Sequence, residues 1–193
     1  REIIYRTMAD ASCKLSNFPV AFKYLKLCLK LLSSSSSSQS SSQSSSDSQK
    51  NKTVFSFEFF KSLVGFYCKQ AKHVLNDDVN EGIEKYLKVL QFVVGKNNES
   101  SIVNDFEKNR VYHMLLGKIY SQILDLIPEY SNQILNLIKK NNLNDESNLN
   151  SNVMGLESIV SDDVVTLSHN LSLQAYKSFT IASKHHHNSQ NKN

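Results

Sequence analysis

Leu116-Gly117-Lys118-Ile119-Tyr120 sits in the middle of an apolar-periodic segment that runs from about Ile102 to Ile127. A glycine set among large apolar residues on a helix has a packing reason: the tiny side chain lets a second helix approach closely, and the large neighbours grip it. Working outward, Ala9, Ala21 and Gly82 recur at comparable places in other apolar-periodic stretches. These four small residues are expected to mark where one helix crosses another.

The composition agrees with a helical chain. Only five glycines and two prolines occur in 193 residues, with long runs of Leu, Ile, Lys, Glu, Asn and Gln between them, which favours helices over a turn-rich β fold. A hydrophobic content of 40% is enough for a core once the low-complexity portions are set aside. The formal charge of +4 is spread along the chain, not gathered into an arm or stripe, and this argues against a nucleic-acid partner. Cys13, Cys28 and Cys68 are odd in number and each sits in a helical apolar pattern. They read as reduced thiols of an intracellular protein, cytoplasmic or nuclear. No apolar stretch approaches the roughly 18 residues of a membrane span, and no cleavable signal is present. Arg1 is not an initiator, so the expectation is a fragment of a longer protein with further repeats upstream.

Taken in order, residues 1–32 read as a first helical hairpin. Ile3, Ile4, Met8, Ala11 and Leu15 keep helical spacing; Ser16-Asn17 interrupts, and Pro19 suits the first turn of a second helix. That helix should bury Ala21, Leu25, Cys28, Leu29 and Leu32 and set Lys23, Lys26 and Lys30 on another face. Residues 33–53, almost entirely Ser and Gln, lack the apolar side chains that offset ordering entropy and read as a disordered insertion. Residues 54–140 hold the remaining hairpins. Phe59, Phe60, Leu63, Val64, Phe66, Tyr67 and Val74 surround Gly65, and Asp77 or Asp78 caps a helix carrying Gly82, Ile83, Tyr86, Leu87, Val89, Leu90 and Val93. Gly95-Lys96-Asn97-Asn98 supplies a left-handed-tolerant end. Pro128 opens a new helix to Lys140 bearing Tyr130, Ile134, Leu135, Leu137 and Ile138. Residues 141–160 are a flexible Asn/Ser-rich linker, 161–183 a C-terminal helix capped by Ser161, and 184–193 a disordered polar tail. Val165, Leu167, Leu171, Ala175, Tyr176 and Phe179 should pack that last helix as a cap on the preceding hairpins.

Over the first hairpin the chain is similar to the tetratricopeptide (TPR) pattern. Tyr5 takes the first aromatic place, Met8-Ala9 the Leu-Gly pair, Phe18 the turn aromatic, Ala21 the second small residue, Leu25 the next large one and Cys28 the last small one. Ser12 stands where an aromatic is usual, and the spacing from Gly65 to Gly82 exceeds the roughly 12 residues of a repeat of about 34. The stretch Glu81 to Leu90, followed by Val111 to Leu126, resembles the C-terminal helical region of the erythroid differentiation-related factor proteins, which implies a nuclear role in transcriptional regulation. Phe59 to Tyr67 with the same central helix resembles the kinesin-binding KBP family, which implies a cytoskeletal regulator.

No chemistry-bearing constellation is legible. There is no phosphate-cradling glycine loop, metal-ligand cluster or nucleophile elbow. His185, His186 and His187 could bind a transition metal weakly, but with no Cys or carboxylate nearby they read as a fortuitous polar tail; His73, His113 and His169 stand alone on separate helices. A His113–Cys68 pairing has no spacing that demands it. Asp77-Asp78 and Asp162-Asp163 are explained as helix starts. The sequons at Asn51, Asn98 and Asn170 mean little without a secretory signal. Where a TPR chaperone-tail receptor carries its Lys/Asn clamp, this chain has Arg6 and Asp10, then Met114 and Lys118, and Asp10 would repel a carboxylate. The reading is therefore all-α: antiparallel helical hairpins stacked as a short TPR-like right-handed array. Its role is a non-catalytic protein-interaction scaffold, with no catalytic, cofactor-binding or metal residues, no cofactor, and other proteins as partners. A closed helical bundle with a ligand-binding or enzymatic role is the alternative.

Overall fold

A computed structural model of the chain describes residues 1–36, 56–96, 102, 104–143 and 156–190. Expectations for 37–55, 97–101, 144–155 and 191–193 lie outside the described residues. The fold is all-α: seven α-helices and one short 3-10 helix, with no strand among the described residues. The helices are α1 (Glu2–Lys14), α2 (Phe18–Ser36), α3 (Phe57–Leu75), α4 (Val79–Val94), α5 (Phe106–Leu124), α6 (Ile127–Leu143) and α7 (Val164–Gln190). They divide into two compact units, residues 1–70 and 71–193, with the boundary inside α3. The first part of α3 thus belongs with the first hairpin, not with the rest of 54–140.

In the first unit, α1 and α2 form an antiparallel pair across the Ser16-Asn17 turn. Asn17 N–H donates to the Ser12 carbonyl at 2.8 Å, and its side-chain oxygen accepts from Val20 N–H at 3.3 Å, capping α2. Pro19 lies in the first turn, where a missing donor is harmless. Ala9 and Ala21 are buried, as the crossing argument requires, with Cys13, Phe18, Leu25 and Phe66 around them. Ser12 can be buried in place of an aromatic because its hydroxyl donates to the Met8 carbonyl at 2.8 Å. From α3, Phe66 meets Phe18 edge-on at 6.1 Å and stacks on Phe22 at 5.9 Å.

The periodicity of α1 misleads about its buried side. Ile3, Ile4, Met8, Ala11 and Leu15 are exposed, and the small residues Ala9, Ser12 and Cys13 are the ones buried. On α2, Leu29 is likewise exposed and Leu32 half-buried. Close helix contact selects small side chains here, so a count of large apolar residues points to the wrong face. The turn itself carries Ser16 at φ 55°, the one non-glycine in the left-handed region among the described residues. Because a side chain there costs roughly 1–2 kcal/mol, Ser16→Gly is expected to raise the unfolding free energy by about 1 kcal/mol in urea titration. A decrease would contradict this turn geometry.

In the second unit, Asp78 caps α4 by accepting from Glu81 N–H at 3.0 Å. The buried set of α4 is Gly82, Ile83, Tyr86, Leu87, Val89, Leu90 and Val93, the face its sequence marked. At Gly82 the end of α3 comes so close that an added Cβ would lie 2.6 Å from the Leu75 Cα. Gly95 ends α4 in the right-handed region, φ −59° and ψ −15°, and so is not itself a left-handed cap; Asn97 and Asn98 lie outside the described residues. The apolar run from Ile102 does not become one helix: Asp105 caps α5 by accepting from Lys108 N–H at 3.0 Å. Tyr112, buried on α5, donates its hydroxyl to the Val93 carbonyl at 3.1 Å and so satisfies an end group of α4.

Pro128 stands in the first turn of α6, where Ile134, Leu135 and Ile138 are buried; Tyr130 departs from helical geometry at φ −127°, ψ 25°. Leu156 and Ile159, inside the stretch 141–160 expected to be a flexible linker, are fully buried. The cap of α7 is Asp163 instead of Ser161: its carboxylate accepts from Thr166 N–H at 2.9 Å and from the Thr166 hydroxyl at 2.7 Å. Ser161 forms a turn just before it. α7 buries Leu167, Leu171, Ala175, Ser178 and Ala182. Val165 and Tyr176 face solvent instead. The helix continues to Gln190, beyond the expected end at Ser183, since no glycine or proline stops it.

The helix contacts in this unit join α4 with α5 and α6 with α7, and also α4 with α6 and α5 with α7, the last pair being the most extensive. Contacts between elements one and two apart in order are what stacked hairpins make. Gly117 lies at the α5–α7 crossing, where its missing side chain leaves room for the Phe179 ring.

Candidate functional site

A groove with mixed chemistry lies in the first unit, between α1 and α3. It encloses about 220 Å³. Its floor is Ala9, Cys13, Gly65 and Phe66, and its walls are Arg6, Asp10, Lys61, Ser62 and Lys69. Three of the wall residues are cations and one is a carboxylate, but neighbouring acids complete the balance. Arg6 lies 3.5 Å from Glu2 and 3.1 Å from Glu58; Lys61 reaches Glu58 at 2.9 Å. Asp10 receives Lys69 at 2.7 Å and Lys14 at 3.0 Å. Each of these charges thus has an opposite charge beside it, and α3 is tied to α1 at two places, Arg6–Glu58 and Asp10–Lys69.

Electrostatics follow from these pairs. Hydrogen bonds from Lys69 and then Lys14 hold the Asp10 carboxyl below its ordinary range, and Lys61 does the same for Glu58. Burial pushes the Cys13 and Cys28 thiols up, so both are held as poor nucleophiles. The groove offers no nucleophile with an adjacent base.

The Asp10 and Glu58 carboxyls are more acidic in the folded chain than in the unfolded one, so their contribution is full above the unfolded value near 4 and lost as pH falls through the lower folded values. Both acids are half exposed, and each pair is therefore worth less than about 1 kcal/mol. The urea midpoint is expected to fall between pH 5 and pH 3, and Asp10→Asn to flatten that fall. An unchanged slope in the variant would show that the Asp10–Lys69 pair does not form.

The residues singled out by sequence are scattered. Arg6 and Asp10, the clamp positions of the first hairpin, both pair across the groove, Arg6 with Glu58 and Asp10 with Lys69 of α3. Met114 and Lys118 are exposed on α5, and Arg110 Nη1 donates to Met114 Sδ at 3.5 Å. Lys23, Lys26 and Lys30 are exposed on α2, with Lys26 Nζ 4.5 Å from the centre of the Phe22 ring. Cys68 is half-buried in the first unit; in the second, His113 is half-buried beside Tyr112 and His169 is exposed. His73 is exposed near the start of that unit. Asp78 and Asp163 are helix caps, and Asp162 pairs with Lys139 at 3.3 Å. His185, His186 and His187 belong to the last turns of α7. Among the described residues no three His, Cys, Asp or Glu converge as a metal site would require. Nor is any helix among them long and apolar enough to cross a membrane. Of the sequons, the one at Asn170 lies on α7 with Leu171 fully buried, and those at Asn51 and Asn98 fall outside the described residues.

No family model matches the chain. The TPR-like, erythroid differentiation-related factor and KBP resemblances therefore rest on the residues quoted for them. No solved structure matches it either. Over 144 residues the chain is 26% identical to the DNA-dependent protein kinase catalytic subunit of Dictyostelium discoideum. That alignment covers 74% of this chain and 3% of the relative. The chain thus spans a small fraction of that relative's length.

Proposed function

We propose that this chain is a non-catalytic scaffold of TPR-like helical hairpins, a section of a longer regulatory protein, whose exposed helix faces dock other proteins. The observation that carries the reading is the packing of the second unit, in which helices one and two apart in order meet. Stacking of that kind extends by repetition and leaves long faces with varied side chains for partners. The likeness to 3% of a much longer protein supports the status of a section. The kinase activity in that relative's name is not carried over. The alignment covers only 3% of that relative.

The test pairs two measurements on purified chain. Nucleotide hydrolysis and phosphotransfer to a generic acceptor are expected at buffer background. Affinity purification from the native cell, with the chain as bait, is expected to recover a stable protein partner that is lost when the docking faces are charged. Robust turnover with no stable partner would overturn the proposal.

A further inference from the structure

The exposed apolar residues of α1 have a pattern. Ile4, Met8, Ala11 and Leu15 fall at helical spacing along one stripe, and Ile4, Met8 and Leu15 are 63%, 42% and 81% exposed. The stripe lies on the flank of α1 away from α3, since Arg6, Asp10 and Cys13 on the other flank line the groove with α3. α2 continues it. Val20, Leu27 and Leu31 repeat at seven and four residues on the flank opposite Phe22, whose ring stacks on Phe66 of α3; Val20 is exposed and the two leucines are half-buried. Tyr5 and Tyr24, stacked at 6.2 Å, join the two stripes at the seam of the hairpin. The α1–α2 pair is therefore covered by α3 on one side and presents a two-helix apolar face on the other.

We infer that the face formed by Ile4, Met8 and Leu15 of α1 with Val20, Leu27 and Leu31 of α2 is the seat of another helical hairpin of the same longer polypeptide. This rests on the reading of the chain as a section of such a protein. Three observations choose that occupant. The stripes contain no charged side chain, so the face selects shape and apolar area, not an acidic or basic partner. Side-chain ridges of one helix seat in the grooves of another at interaxial distances of about 8–10 Å, so a two-helix apolar face suits a second pair of helices. In the second unit the chain already covers one helical pair with another in this way, α4 against α6 and α5 against α7. A terminal repeat that faces water needs a polar outer side, and this face lacks one.

The test compares thiol labelling at Met8→Cys and Leu15→Cys, read peptide by peptide by mass spectrometry, in the 193-residue chain and in the intact polypeptide that contains it. Thr166→Cys, exposed on α7, is the control. Labelling at the two α1 positions is expected to slow at least about tenfold in the intact polypeptide while the control keeps its rate, because a packed site reacts only on local opening. Equal rates in both forms overturn the inference and leave the section reading in place. A gene that encodes no helical sequence beyond this chain overturns the section reading and the inference with it. Sedimentation velocity of the 193-residue chain decides the remaining case: a dimer abolished by Met8→Asp with Leu15→Asp would give the face to a second copy, and that too overturns the inference.

Discussion

Tyr112→Ala is expected to lower the unfolding free energy by about 3–5 kcal/mol, the range for removing a large buried aromatic. Tyr112 is among the largest fully buried side chains, and burial also pushes its phenol well above the usual range, so it stays neutral and keeps its proton for the Val93 carbonyl. Tyr112→Phe separates the two contributions. It keeps the ring and loses one hydrogen bond at 3.1 Å, while the Val93 carbonyl still accepts from Lys96 N–H at 3.0 Å. The cost should therefore be near 1 kcal/mol, the net worth of one such bond, without the larger penalty of an orphaned acceptor. Chemical denaturation of both variants checks this. Equal losses would mean that the hydroxyl, not the ring, holds α5 to α4.

Gly82→Ala should cost about 2 kcal/mol, although alanine is the better helix former. The new Cβ would meet Leu75 backbone at 2.6 and 2.8 Å, and backbone cannot rotate aside. Two other glycines calibrate the argument. At Gly117 the obstacle is the Phe179 ring at 2.9 Å, which is partly exposed and free to swing, so Gly117→Ala should be close to neutral. At Gly65 nothing lies within 4 Å, and Gly65→Ala should gain roughly 0.5–1 kcal/mol from helix propensity alone. The order 65, 117, 82 in thermal denaturation is the expected result. A stabilised Gly82→Ala would mean that α3 and α4 do not cross there.

These cases also show how much was legible in the sequence. The all-α class followed from sparse glycine and proline, and α4 could be read almost residue by residue because its apolar and polar faces separate cleanly. The small residues at 9, 21, 82 and 117 are all buried at helix contacts, but size alone does not single them out: Gly65 has nothing within 4 Å of an added Cβ, and Ala11 is exposed. α1 misled for a physical reason: its contact face is Ala9, Ser12 and Cys13, and the large apolar stripe belongs to the uncovered flank. Caps in runs such as Ser161-Asp162-Asp163 could not be chosen by composition, since three adjacent side chains can each accept from the following turn and only geometry picks Asp163. The α1–α3 groove was invisible, because its ion pairs join residues more than 50 apart in sequence, Arg6 with Glu58 and Asp10 with Lys69.

Stacking of hairpins through small residues is the claim on which fold and proposed role both depend. It is tested most directly by placing a photoreactive benzoyl-phenylalanine at position 179 and mapping the crosslink by mass spectrometry. Attachment to α5 within a turn of Gly117 is predicted. Attachment confined to α6, with none on α5, would contradict the stacking of α7 upon α5.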